Sequence, residues 1–127
     1  MSSFVLDASA ILAAHHREAG GENVRRIARG AFVCAVNHAE AISKLVRGGY
    51  TIQAASALRG ALGYAVVPFD EAQALECGRL QRFTHHLRLS LSDRACLALA
   101  KLGRHEVLTG DRAWTKLSIG VTIRAIR

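Results

Sequence analysis

Four carboxylates stand where chemistry on a phosphate is possible. Asp7 ends the apolar run Phe4-Val5-Leu6, Glu40 lies early in the helical stretch after Phe32-Val33-Cys34-Ala35-Val36, and Asp111 follows Val107-Leu108-Thr109 across one glycine. Asp93 comes three residues after Ser90 and opens a helical stretch that runs to Leu102. Acids just past the ends of buried strands project from the sheet edge where open α/β folds bind their ligands. Four acids gathered there repel one another, and a hard divalent cation with oxygen ligands resolves that repulsion. With a phosphodiester as substrate, the ion also offsets the phosphate charge. Each acid has a plainer reading. Asp7 and Asp111 are good helix N-caps, and Asn37-x-x-Glu40 and Ser90-x-x-Asp93 both have capping-box spacing. A cap contributes about 1 kcal/mol, and an acid in the first turn gains roughly 0.3–1 kcal/mol from the helix dipole. Taken singly, each acid is better explained as a cap; the conjunction of four favours a metal centre. Asp70-Glu71, which also follows an apolar run but precedes a long amphipathic helix, serves as the internal control and is read as a cap.

The elements that must position these acids follow from apolar spacing and punctuation. Phe4–Leu6, Phe32–Val36, Tyr64–Val67, Glu106–Thr109 and Val121–Ile126 read as short buried strands. Helices are expected over 8–17, over 22–29 after Gly20-Gly21, from Asn37 to Gly48-Gly49, and over 51–62 with Thr51 as cap. Two more run from Asp70 to about His86 and from Ser90 or Ser92 to Gly103, and a short one contains Trp114. Strands alternating with helices imply an α/β fold with a parallel sheet covered on both faces. In such a sheet the strand ends point one way, so Asp7, Glu40 and Asp111 share one edge. Asp93 joins them if the strand order brings its helix there.

The chain has 127 residues, half of them apolar, with one proline, so a single compact domain is expected. No apolar run approaches the ~18 residues of a membrane helix, and no basic segment precedes the mildly apolar N-terminus, which predicts a cytoplasmic protein. Three cysteines, none in a Cys-x-x-Cys pair, read as buried free thiols rather than a disulfide or zinc framework. Seventeen Lys and Arg against ten Asp and Glu give +7, a balance that favours polyanions, nucleic acid first, and also allows an acidic protein partner. His15-His16 and His85-His86 are poor chelates, because adjacent helical residues point about 100° apart. The P-loop and Gly-x-Ser-x-Gly patterns are both absent from the sequence.

Three segments together resemble a PIN-domain nuclease of the VapC toxin type. They are Val5-Leu6-Asp7-Ala8-Ser9-Ala10-Ile11-Leu12, the mid-chain Glu40, and Leu91-Ser92-Asp93-Arg94-Ala95-Cys96-Leu97-Ala98-Leu99-Ala100 followed by Leu108-Thr109-Gly110-Asp111-Arg112-Ala113-Trp114. The resemblance covers essentially the whole chain and implies one PIN domain over residues 1–127. The implied fold is a three-layer α/β/α sandwich with a five-stranded parallel sheet in the order 3-2-1-4-5. It also implies a homodimer, an antitoxin that blocks the site, and an RNA substrate cut to leave a 5′-phosphate and a 3′-hydroxyl. Two departures stand out. Some relatives carry a further acid where this chain has Thr115 and Lys116, which bears on the ligands of a second ion, and Ser92 replaces the Gly or aromatic of many relatives.

The expected mechanism is metal-dependent ribonuclease chemistry. Asp7, Asp93 and Asp111 would hold Mg²⁺ or Mn²⁺, directly or through water, with Glu40 as a ligand or as the group that orients the attacking water. Ser9 and Thr109 are candidates for fixing the carboxylates, against a role in capping. Arg94 and Arg112 are candidates for phosphate contact, against plain solvated surface. Three rival readings remain. One is a phosphoryl-transfer domain with Asp7 as covalent nucleophile, although the usual Asp-x-Asp has Ser9 at its second position. Another is a non-catalytic domain that binds nucleic acid or a partner, which the presence of all four acids disfavours. The third keeps the fold and directs the nuclease to DNA.

Overall fold

The computed structural model describes residues 3–127. Five parallel strands form one sheet in the order β3-β2-β1-β4-β5: β1 (Phe4–Leu6), β2 (Phe32–Cys34), β3 (Ala65–Val67), β4 (Glu106–Thr109) and β5 (Ile123–Ala125). Seven α-helices connect them: α1 (Ala8–His15), α2 (Gly21–Ile27), α3 (Ala35–Arg47), α4 (Ile52–Ser56), α5 (Leu58–Leu62), α6 (Glu71–Thr84) and α7 (Leu91–Gly103). Single tight turns of 3₁₀ helix cover Ala28–Gly30, His85–Leu87 and Arg112–Lys116. No helix among the described residues is long and apolar enough to cross a membrane.

The strand period of two sorts the core into two layers. Leu6, Val33 and Leu108 pack with α1 to α5, around Ile11, Val24, Leu45, Leu58 and Tyr64. Val5, Cys34 and Val107 face the other way, against Cys77 and Leu80 of α6, Cys96 and Leu97 of α7, and Trp114. Both faces of the sheet are therefore covered, giving a three-layer α/β/α sandwich in the expected strand order. All three thiols are free and buried.

Register places the chemistry. Leu6 pairs with Leu108 at the carboxyl ends of β1 and β4, so Asp7 and Thr109 become neighbours across 102 residues of chain. The boundaries differ from the sequence expectation most at β2. The strand stops at Cys34, and Ala35-Val36 already form the first turn of α3. Asn37 is thus not the cap; it is the third helical residue, 1% exposed, and donates from Nδ2 to the Ser92 carbonyl at 2.8 Å. Glu40 accordingly sits in the second turn rather than in a capping box. Thr51 and Asp70 do cap, accepting from the amides of Ala54 and Gln73. The expected 51–62 helix bends at Ala57 into two short helices, which lets Ala55, Leu58 and Leu62 all reach the core. At the chain's end Ile123–Ala125 pair as strand, a shorter element than Val121–Ile126.

Candidate metal centre

Asp7 is N-cap of α1, with an extended backbone that turns its carboxylate back over the first helical turn. Its Oδ1 accepts from the Ala10 amide at 2.8 Å and from the Ser9 hydroxyl at 2.7 Å, while Oδ2 accepts from the Thr109 hydroxyl at 2.6 Å. Both hydroxyls are themselves oriented by the turn after β4. The Gly110 amide donates to Ser9 Oγ at 2.9 Å and the Asp111 amide to Thr109 Oγ1 at 3.0 Å. Each hydroxyl accepts from backbone and passes its own hydrogen to the carboxylate, an arrangement that suits an ionised acceptor.

Burial opposes that ionisation. Asp7 is 5% exposed, and desolvation pushes its pKa above the usual carboxylate value despite the three hydrogen bonds; the charge of Asp93 pushes the same way. Cys96, packed beneath, is raised well above the ordinary thiol range by burial, with the charges of Asp7 and Asp93 adding to the effect. Asp7 and Asp93 thus share one electrostatic neighbourhood.

The other acids are held more loosely. Asp93 forms a full capping box at the start of α7: Ser90 Oγ accepts from the Asp93 amide at 3.1 Å and Asp93 Oδ2 accepts from the Ser90 amide at 2.9 Å. The capping reading of Asp93 is therefore correct, yet its Oδ1 makes no hydrogen bond among the described residues. Glu40 Oε2 accepts from the Ser92 hydroxyl at 3.1 Å, so α3 and the α7 N-terminus are pinned together by Glu40 and by Asn37 on the adjacent turn. Ser92 thereby becomes part of the candidate site. Asp111 is exposed and caps the turn Arg112–Lys116 through the Ala113 amide at 3.0 Å. Among the described residues its hydrogen-bonded link to Asp7 runs through Thr109.

Among the described residues none of these four acids has an ion-pair partner, in a chain with seventeen Lys and Arg. Nor do any three His, Cys, Asp or Glu side chains there converge into a metal cage of their own. An all-oxygen donor set, half open to water, suits an ion that keeps several waters and takes one or two carboxylates, as Mg²⁺ and Mn²⁺ do. It does not suit zinc.

The arginines beside these acids point elsewhere. Arg94 is half-buried and donates from Nη1 to the Cys77 carbonyl of α6 at 3.0 Å, with Nε buried and unpaired. Arg112 donates from Nη1 to the backbone oxygen of Arg127 at 2.7 Å. Sequence reasoning missed the contacts that Asn37 and Ser92 make between α3 and α7. The signal for Asn37 was a polar residue on the buried α3 stripe shared with Ala41 and Leu45.

No curated protein is a significant sequence match to this chain. Solved structures share its fold at low identity. A chain of the DNA-bound VapBC complex of Salmonella typhimurium has 15% identity and a TM-score of 0.77, with both chains fully covered. The VapBC-5 toxin–antitoxin system of Mycobacterium tuberculosis has 22% identity and a TM-score of 0.65, covering 100% of this chain and 99% of that one. VapC20 of the same organism, described as a sarcin–ricin loop cleaving toxin, has 14% identity and a TM-score of 0.68, covering 94% and 98%. The PIN-domain profile matches residues 4–119, nearly the whole chain, and by that match, with the strand order to support it, this chain belongs to the PIN-domain family.

Proposed function

We propose that this chain is a Mg²⁺- or Mn²⁺-dependent endoribonuclease and the toxin of a toxin–antitoxin pair. The observation that carries the reading is Asp7: a buried carboxylate with three oriented donors, no cationic partner among the described residues, and a second acid, Asp93, close enough to raise its pKa. Such a group is costly to keep charged unless a cation arrives. Asp7, Asp93 and Asp111 would hold the ion, in part through water, and Glu40 would complete the set or orient the attacking water. When bound, the ion lowers the pKa of a water and offsets charge growing on the phosphate oxygens. Ser9 and Thr109 fix the Asp7 carboxylate so that it need not reorganise during the reaction. The products are a 5′-phosphate and a 3′-hydroxyl. Support for RNA as substrate comes from the net charge of +7 and from the described activity of the similar VapC20. Support for an antitoxin partner comes from the VapBC complexes that share the fold. The protein acts in the cytoplasm as a homodimer.

The test is incubation of the purified chain, free of antitoxin, with total cellular RNA and Mn²⁺ or Mg²⁺. Parallel reactions contain EDTA or the Asp7→Asn variant, which keeps an N-cap residue at α1. Discrete cleavage that both controls abolish is the expected result. Absence of cleavage, together with no rise in the thermal midpoint of the wild type on adding Mn²⁺, would refute the metal-dependent reading.

A further inference from the structure

A cluster of unpaired acids repels the polyanion it is meant to cut, so a nuclease of this kind needs a cation at the lip of the site to receive the phosphate. The arginines adjacent to the acids in sequence are engaged elsewhere: Arg94 reaches to α6, and Arg112 to the backbone oxygen of Arg127. That second contact holds the backbone of a residue whose guanidinium is placed differently. Arg127 donates from Nη1 to the Ala19 carbonyl at 3.1 Å, with Glu18 Oε1 at 3.8 Å from the same nitrogen, and its Nη2 makes no hydrogen bond among the described residues. Nη2 lies beside the turn that organises Asp7. A Cβ on Gly110 would stand 3.3 Å from Arg127 Nη2 and 3.0 Å from Ser9 Oγ, the hydroxyl that donates to Asp7. Both contacts are tighter than an ordinary Cβ contact, so the guanidinium and the Ser9 hydroxyl of the Asp7 network close in on Gly110 from two sides.

We propose that Arg127 is a substrate-binding residue of this centre, its free Nη2 donating to a phosphodiester oxygen of RNA beside the Gly110 turn, with Arg112 holding its backbone. The assignment rests on the nuclease reading above. A guanidinium suits the task because it stays charged, and because one edge of its planar fork can anchor to protein while the other meets phosphate. Arg127 side-chain exposure of 41% keeps that edge reachable, and anchoring at Ala19 lowers the entropy lost when the phosphate binds.

Arg127 also straps β5 to the α1–α2 loop, and a purely structural strap is the competing account. Fluorescence anisotropy separates the two. The probe is a short fluorescein-labelled single-stranded oligoribonucleotide, titrated in EDTA with wild type, Arg127→Ala, Arg127→Lys and Glu18→Gln over a range of salt concentrations. Loss of one phosphate contact weakens binding about tenfold and reduces the steepness of log K against log salt by about one. Arg127→Ala is expected to show both changes, Arg127→Lys to restore the salt slope but only part of the affinity, and Glu18→Gln to bind as tightly as wild type or more tightly. An unaltered salt slope in Arg127→Ala, or equal weakening by Glu18→Gln, overturns the assignment and leaves the nuclease reading standing. A wild type that binds no oligoribonucleotide also overturns the assignment, while cleavage and the Mn²⁺ response decide the nuclease reading separately.

Discussion

Asp7 and Asp70 occupy the same kind of place. Each follows a strand of the parallel sheet, each has extended backbone, and each caps the next helix by accepting from the amide three residues on. From sequence they are hard to rank. In space they differ in everything except the cap. Asp70 is exposed, and its carboxylate accepts from the Gln73 amide alone among the described residues. Asp7 is buried, and two hydroxyls from two different elements converge on it besides the amide. The strand order explains the contrast. β1 is the central strand, flanked by β2 and β4, so its end is walled by neighbouring turns; β3 is an edge strand, and its end faces solvent. A cap becomes a candidate ligand when the sheet surrounds it, which is a property of topology rather than of the local motif.

The comparison is broken most directly by removing both carboxylates. Asp7→Ala loses a cap and leaves the Ala10 amide and the Ser9 and Thr109 hydroxyls without their acceptor, a gross cost of about 2–3 kcal/mol of which relief of the buried charge returns a part in metal-free unfolding. Asp70→Ala loses the cap only, about 1 kcal/mol. Urea titrations in EDTA measure both. Equal losses would mean that the network around Asp7 adds nothing beyond the cap.

How much of this was legible beforehand varies by residue, for physical reasons. The strands and the acids at their ends were readable because apolar runs terminated by Asp are local signals, and the alternation with helices constrains the rest. The α7 cap was readable as well, since Ser90 and Asp93 satisfy each other within four residues. Asn37 was misread because Asn is both a favoured cap and a donor for buried carbonyls; what decides between these is the Ser92 carbonyl, 55 positions away. The bend at Ala57 has no local breaker, and only the core positions of Ala55, Leu58 and Leu62 require it. Arg127 was invisible because its meaning lies in Ala19 and Gly110, both remote in sequence. Four candidate acids could be picked out by position, but their unequal environments could not.

Those environments should show in the pH dependence of stability. Burial raises the pKa of Asp7 above 3.8, so between 3.8 and its folded value the folded chain binds more protons than the unfolded one. Stability contributed by this group is full below the unfolded pKa and is lost as pH rises through the folded pKa. In EDTA, the thermal midpoint of Asp7→Asn minus that of wild type should therefore grow with pH across this window and then level off. The histidines whose pKa values are lowered by burial, His15, His38 and His105, titrate in both proteins and cancel in the difference. A difference that stays flat from pH 4 to 8 (about the range spanned by ordinary carboxylate and imidazole titration) would show that the Asp7 charge costs the fold nothing.

The finest distinction concerns two changes of nearly equal size. Thr109→Val keeps the shape of a side chain that is fully buried, removes the donor to Asp7 Oδ2 and leaves the Asp111 amide without its acceptor, a loss of about 1–1.5 kcal/mol. Asp70→Ala is expected to cost about 1 kcal/mol. Stability alone does not separate them, but their response to Mn²⁺ should. An ion held by Asp7 stabilises the folded chain in proportion to the logarithm of its affinity, and a carboxylate that has lost the hydroxyl fixing one of its oxygens binds that ion less well. The Mn²⁺-induced rise in thermal midpoint should therefore shrink in Thr109→Val and remain at the wild-type value in Asp70→Ala. Equal rises in the two variants would place the ion away from Asp7, and the contrast between the two caps would then reflect packing alone.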